Sequence, residues 1–154
     1  MRTIDNYIGI EPFTVLVDDS QKLRNLTEKA KGLRELPFSE KLATVKKLAL
    51  DSMVNAYEQM VVWSEKAESE YDIVGEEQKK AVDPHKEAAR FRKIVFEGHP
   101  LSHALEQEAG CCRYQGALFF VLGYEADLGD KHFMHTAPVN GRIRTVFNEV
   151  VDNR

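Results

Sequence analysis

Apolar residues recur at helical spacing through the first two thirds of the chain. After Asp18-Asp19-Ser20, which offers residues that commonly cap helices, apolar positions three or four apart predict a helix to about Leu33. A longer stripe begins after Pro37, where Ser39 is the expected cap, and ends near Trp63. It predicts one uninterrupted helix, whose inward face is formed by Leu42, Val45, Leu48, Ala49, Met53, Ala56, Tyr57 and Met60.

The stretch that follows, residues 64–90, is dominated by Glu and Lys, and we expect an exposed helical excursion rather than a second domain. A further helix is predicted over about 86–96, with Ala89, Ile94 and Val95 facing inward. A short helix over 101–108 then leads to two adjacent cysteines, which open a strongly apolar helix.

The pattern changes after the apolar helix. Strand-forming residues over 131–139 and 142–151 flank Asn140-Gly141, the strongest short-range signal for a two-residue hairpin turn. Another short strand is expected over 10–17. Helices followed by strands predict an α+β fold with a single domain over 1–154. The helical part covers about 1–110, and a nucleophile-type helix plus a small antiparallel sheet cover about 111–154.

Composition narrows the functional classes. The 154 residues are 43% hydrophobic and 30% charged, which is typical of a globular domain, and the net charge is −4. Because no dense run of Lys and Arg offsets this charge, we expect no nucleic-acid partner. No apolar run approaches the length of a membrane span, and the first residues lack the apolar core of a signal peptide. With only two cysteines, we expect a reducing, cytoplasmic setting and no membrane partner.

The two cysteines, Cys111 and Cys112, are the first candidates for chemistry. A thiol in the first turn of a helix lies near the positive end of the helix dipole, which favours the nucleophilic thiolate, and Arg113 acts in the same direction. Backbone N–H groups at the same helix start can bind an oxyanion. The alternative is that the thiols are small apolar side chains of the core.

A cysteine nucleophile needs a base, and His132 and His135 lie on the strand before the predicted turn. With a two-residue turn, His135 pairs with Val146 and shares its face with Asn148 and Asp152, whereas His132 shares the other face with Glu149. One residue more in the loop exchanges these faces, so both histidines stay candidates. His103, on the short helix before the cysteines, is a third candidate.

The same residues contain four nitrogen and sulfur ligands for a metal: Cys111, Cys112, His132 and His135. Adjacent cysteines bind one tetrahedral ion poorly, because structural zinc sites space their cysteines by two to four residues. The sequence also lacks a glycine-rich phosphate loop. We therefore expect no metal and no cofactor.

Two segments resemble a known family. Residues 101–109 lead into Gly110-Cys111-Cys112-Arg113 as the chain does in transglutaminase-like (papain-like) cysteine hydrolases, where Gly-x-Cys-Arg opens an apolar helix. Residues 146–150, Val-Phe-Asn-Glu-Val, resemble the family's later strand, which reads His-Ala-Phe-Asn-Glu-Val. The resemblance covers about residues 100–154. It implies that Cys112 is the nucleophile for acyl transfer or hydrolysis of an amide or thioester in a protein or peptide substrate.

The chain departs from the family at Thr145, which aligns with the family's catalytic His, and it ends before the strand that carries the family's Asp. In one hypothesis, His135 supplies the imidazole, and Asp152 or Asn148 orients it. In the other, the protein is a catalytically inactive relative that acts as a protein-binding module. The sheet edge left by the missing strand also permits two copies to pair as a homodimer.

Overall fold

The computed structural model describes residues 2–3, 15–69, 83–128, 132–139 and 143–150. The helices within these ranges are α1 (Gln21–Lys31), α2 (Phe38–Ser52), α3 (Ala56–Ser69), α4 (Pro84–Phe96), α5 (Leu101–Gln107) and α6 (Cys112–Glu125). The strands are β1 (Arg2–Thr3), β2 (Leu16–Val17), β3 (Val54–Asn55), β4 (Ala109–Gly110), β5 (His132–Val139) and β6 (Ile143–Val150). The α+β class is confirmed.

The strands differ from the single antiparallel sheet that the sequence predicts. Within the described ranges they form three separate two-stranded ladders. The pairs β1–β2 and β5–β6 are antiparallel, whereas β3–β4 is parallel. Of the strand expected over 10–17, the described part is β2, and residues 4–14 lie outside the described ranges.

Helix α1 confirms the prediction of a capped helix after Asp18-Asp19-Ser20. The Ser20 hydroxyl accepts a hydrogen bond from the backbone N–H of Leu23 at 3.2 Å, which satisfies one of the free donors of the first turn. The helix ends at Lys31, two residues before the predicted end, and Leu23 and Ala30 face the core.

The prediction of one long helix over 39–63 is wrong, because β3 separates α2 from α3. Met53 is extended (φ −156°, ψ 138°) and only 2% exposed, so the stripe stays buried while the helix stops. Val54 N–H donates to the carbonyl of Glu108 at 2.8 Å, and the Asn55 side chain accepts the N–H of Glu58 at 3.1 Å. The pairing with β4 and this new cap compensate for the lost helical hydrogen bonds.

Two smaller expectations about helix ends and faces are also corrected. Pro37, not Ser39, occupies the cap position of α2, and no side chain caps that helix. In α4, which begins at Pro84 with Asp83 as its cap, Ala88, Phe91 and Ile94 are buried and Ala89 is exposed. Ile94 is thus buried as predicted, whereas Ala88 and Phe91, rather than Ala89, complete the inward face of α4. Residues 70–82 of the polar stretch lie outside the described ranges.

Helix α6 lies at the centre of the described core. It packs against α1, α2, α5 and both strands of the β5–β6 hairpin. Its buried side chains include Leu118, Phe120 and Leu122, each at most 1% exposed. Burial of one such side chain contributes about 1.5–3 kcal/mol. A second, smaller cluster joins α3 to α4 through Ala56, Phe91, Ile94 and Ala109.

The β5–β6 hairpin has a different register from the predicted one. Val139 pairs with Ile143, so three residues separate the strands instead of the two of an Asn140-Gly141 turn. His135 consequently pairs with Phe147 rather than Val146. Homodimer formation through the hairpin edge stays a prediction. No helix in the described ranges has the length and apolarity needed to cross a membrane.

Candidate functional site around Cys112

The chain reaches Cys112 through Gly110, a buried residue of β4. A Cβ atom on Gly110 would lie 2.6 Å from Sδ of Met53 and 2.9 Å from Cβ of Tyr114. Both distances are shorter than side-chain contacts allow, so only glycine fits between the end of α2 and the first turn of α6. Gln115 on α6 also donates to the carbonyl of Met53 at 3.4 Å. Close packing therefore explains why the Gly-x-Cys-Arg segment has a glycine at position 110.

Cys112 is the first residue of α6, and Cys111 precedes it in an extended conformation (φ −77°, ψ 178°). Both thiols are free and half-buried, and Cys111 packs against the main core. No side chain caps this helix start, and the carbonyl of Cys111 accepts the N–H groups of Tyr114 and Gln115, each at 3.0 Å. Because no side chain caps it, backbone N–H groups of the first turn that are not used within the helix suit a negatively charged oxygen next to the Cys112 thiol.

Tyr114 holds the first turn of α6 against the segment between α4 and α5. Its side chain is 1% exposed, and its hydroxyl accepts the backbone N–H of His99 at 2.8 Å and Nη2 of Arg113 at 3.2 Å. The guanidinium carbon of Arg113 lies 4.9 Å from the centre of the Tyr114 ring, within the range of a cation–π contact. Tyr114 is therefore part of the core that supports the site.

Two imidazoles stack beside this turn. His103 on α5 faces His99 with ring centroids 4.2 Å apart and an interplanar angle of 27°. Nε2 of His99 lies 3.7 Å from the carboxylate of Glu97. The sequence indicated His103 as a candidate base and gave no reason to single out His99. No local signal points to His99, because its neighbours come from α5 and α6.

The histidine of the first hypothesis lies on the hairpin. His135 is near the middle of β5, and its partner Phe147 has Thr145 and Glu149 as its next neighbours on the same face. Asn148 pairs with Met134 and belongs to the opposite face, with His132. The proposal that Asn148 orients His135 is therefore wrong in this register. Asp152 lies outside the described ranges.

The elements that carry the predicted residues Cys112 and His135 are in contact. Helix α6, which begins with Cys112, packs against both strands of the hairpin that carries His135. Within the described ranges, no group of three or more His, Cys, Asp or Glu residues is arranged to hold a metal ion. A cleft of about 280 Å³ between α1, α2 and α5 is lined by Lys22, Asp51 and Glu108, among others, and does not include Cys112.

The chain was compared with models of protein families, with curated proteins and with solved structures, and none of the three comparisons finds a match. The helix start at Cys112 and the register of the hairpin define the geometry of the candidate site.

Proposed function

We propose that the protein catalyses cysteine-dependent acyl transfer or hydrolysis of an amide or thioester in a protein or peptide substrate. Cys112 is the nucleophile and His135 the base. The observation that carries this proposal is the position of Cys112, half-buried and free, as the first residue of an uncapped helix packed against the hairpin of His135. The resemblance of residues 100–154 to transglutaminase-like hydrolases supports the same roles. Because both thiols are free, we also propose that the protein acts in the reducing cytoplasm.

The hairpin register supports His135 over His132. Residue 145, which aligns with the family's catalytic His, shares a face with His135 and is the diagonal neighbour of that residue across the ladder, a separation of about 7–8 Å between Cα atoms. The same face carries both phenylalanines of the hairpin, Phe133 and Phe147. Because the more apolar face of a sheet is normally the one covered, we expect this face to lie against α6.

The register also changes the expected orienting group. Glu149 shares the face of His135 and is diagonal to it on the other side of Phe147. We therefore propose Glu149 beside the earlier candidate Asp152. A carboxylate in this role holds the imidazole in one tautomer and stabilises the imidazolium that forms during catalysis.

The proposed reaction has two steps. His135 accepts the thiol proton while Cys112 sulfur attacks the carbonyl carbon, and the resulting oxyanion is bound by N–H groups of the first turn of α6. The amine or thiol leaving group takes the proton from His135 as the carbon–nitrogen or carbon–sulfur bond breaks. Water or a second amine then attacks the thioester and regenerates the Cys112 thiol.

Alkylation and acylation of the thiols test this proposal. We expect iodoacetamide to modify Cys112 faster than Cys111 and faster than a free cysteine derivative at neutral pH, as measured by peptide mass spectrometry. A small thioester should leave an acyl group on Cys112 in the wild-type and Cys111→Ala chains, and none in Cys112→Ser. His135→Asn should slow acylation by roughly a hundredfold, whereas the matched variant His132→Asn, on the other face, should change it little.

A specific observation also favours the second hypothesis, that of an inactive relative acting as a protein-binding module. Thr145 stands where the family has its base, and partly exposed apolar residues lie along β3 and the first half of α3, namely Val54, Tyr57, Val61 and Val62. If Cys112 reacts no faster than the free cysteine derivative and forms no acyl adduct, the catalytic proposal is wrong and this second function is favoured.

A further inference from the structure

Arg113 is charged and half-buried, yet among the described residues it has no carboxylate partner. Its described hydrogen bond runs from Nη2 to the hydroxyl of Tyr114 at 3.2 Å. Nε of the same guanidinium is shielded from solvent and has no hydrogen-bond partner in the described part of the chain. A guanidinium carries five N–H donors, and removing its charge from water without a partner is unfavourable.

A ring nitrogen of His99 also lacks a hydrogen-bond partner among the described residues. This nitrogen, Nε2, is likewise shielded from solvent. The carboxylate of Glu97 lies 3.7 Å from this nitrogen, which is too long for a hydrogen bond, and the Glu97 side chain is 56% exposed. His103 stacks on His99 and keeps the two rings together.

Arg113 and His99 belong to one cluster, because both donate a hydrogen bond to the hydroxyl of Tyr114. The hydroxyl accepts from His99 N at 2.8 Å and from Arg113 Nη2 at 3.2 Å, so these donors lie within about 6 Å of each other. Both acceptor lone pairs of the hydroxyl are then occupied, and Tyr114 offers no further acceptor to Nε of Arg113. The cluster contains donors in excess of acceptors.

We propose that Arg113, His99 and His103 form a binding site for a small oxyanion, a carboxylate or a phosphate group, beside the first turn of α6. The planar guanidinium presents paired donors that match two oxygens of such a group, and the imidazoles add one donor each. This site goes beyond the proposed acyl transfer. It exists whether or not Cys112 is a nucleophile, and its binding can be measured in the Cys112→Ser chain.

Nuclear magnetic resonance of the imidazole protons provides the test. The five histidines are assigned with single His→Gln variants, and the full-length chain is titrated at constant pH with inorganic phosphate and, separately, with sodium acetate. Sodium chloride at matched ionic strength is the reference. We expect saturable shifts of the His99 and His103 signals, with His85 unchanged. The relative affinities for phosphate and acetate decide which oxyanion the site prefers.

Substitutions link the shifts to the site. Arg113→Gln should weaken binding roughly tenfold or more, and Arg113→Lys, which keeps the charge but loses the paired donors, should weaken it less. Arg92→Gln, an exposed arginine on α4, is the matched control and should bind as the wild type does. Circular dichroism verifies that each variant is folded, and His99→Gln replaces Arg113→Gln if the latter unfolds. Equal shifts with chloride, unsaturated shifts with both anions, or undiminished binding in the folded variant would overturn the proposal.

Discussion

The first turns of α1 and α6 are constructed in opposite ways. Helix α1 is capped by Ser20, whose hydroxyl accepts a backbone N–H. Asp19, which precedes this cap, accepts a hydrogen bond from the side chain of Arg24. Helix α6 begins with two cysteines, has no side-chain cap and is held by buried contacts of Gly110 and Tyr114. A local cap satisfies the donors of the first turn, whereas a helix start fixed by packing leaves donors free for a ligand.

The largest expected effect concerns the packed helix start. Gly110→Ala introduces a Cβ atom at 2.6 Å from Met53 Sδ and 2.9 Å from Tyr114 Cβ, so the chain must shift there. We expect a loss of about 1–3 kcal/mol in the free energy of unfolding, measured by urea denaturation. Gly98→Ala is the matched control, because a Cβ there meets nothing within 4 Å, and it should change stability by less than about 0.5 kcal/mol. Equal stability of the two variants would contradict the packed helix start.

A smaller effect is expected at the capped helix start. Ser20→Ala removes the acceptor of the Leu23 N–H and should lower the free energy of unfolding by about 1 kcal/mol. Ser39→Ala is its control, since Ser39 is exposed in the first turn of α2 and does not cap that helix. We expect no measurable change for the control in the same denaturation experiment. A loss at Ser39 as large as that at Ser20 would show that capping does not distinguish these helix starts.

The smallest effect should come from the ion pair beside α1. Nε of Arg24 donates to the Asp19 carboxylate at 2.7 Å, and this hydrogen bond lowers the pKa of Asp19 from its ordinary value. Because the pKa of Asp19 is lower in the folded than in the unfolded protein, the ionised carboxylate stabilises the fold at pH values above the ordinary carboxyl pKa. This stabilisation is lost as the pH falls through the lowered pKa. Because both groups are exposed, the melting temperatures of wild type and Asp19→Asn should differ less than those of wild type and Ser20→Ala, and they should converge in acid. A difference that grows in acid would contradict this sign.

The contrast between local and distant contacts also explains how much of the fold was predictable. Helix α1 was predicted well because Ser20, the helical stripe and the break at Pro37 are neighbours in sequence. The break at Met53 was missed because the same apolar spacing continues through it, and the reason for the break, pairing with Ala109–Gly110, lies far along the chain. The hairpin was found, but its register was wrong by one residue because the turn signal at Asn140-Gly141 predicts two loop residues where the pairing leaves three.

The candidate site follows the same rule. Cys112 at a helix start was predictable, since glycine, cysteine and an apolar run follow one another in sequence. The group formed by His99, His103 and Tyr114 was not, because its members meet only through the packing of α5 on α6. Tyr114, which joins this group to Arg113, is a buried acceptor for two donors.

The parallel ladder between β3 and β4 has a consequence for the order of folding. It joins Val54 to Ala109 and Asn55 to Gly110, and the hydrogen bond from Gln115 to Met53 spans 62 positions. Closing so long a loop costs chain entropy before any contact compensates for it, so such contacts normally form late. We therefore expect the segment before Cys112 to reach its final geometry only when the helices on both sides have assembled. A nascent chain would then carry this thiol without the packed surroundings that it has in the folded protein.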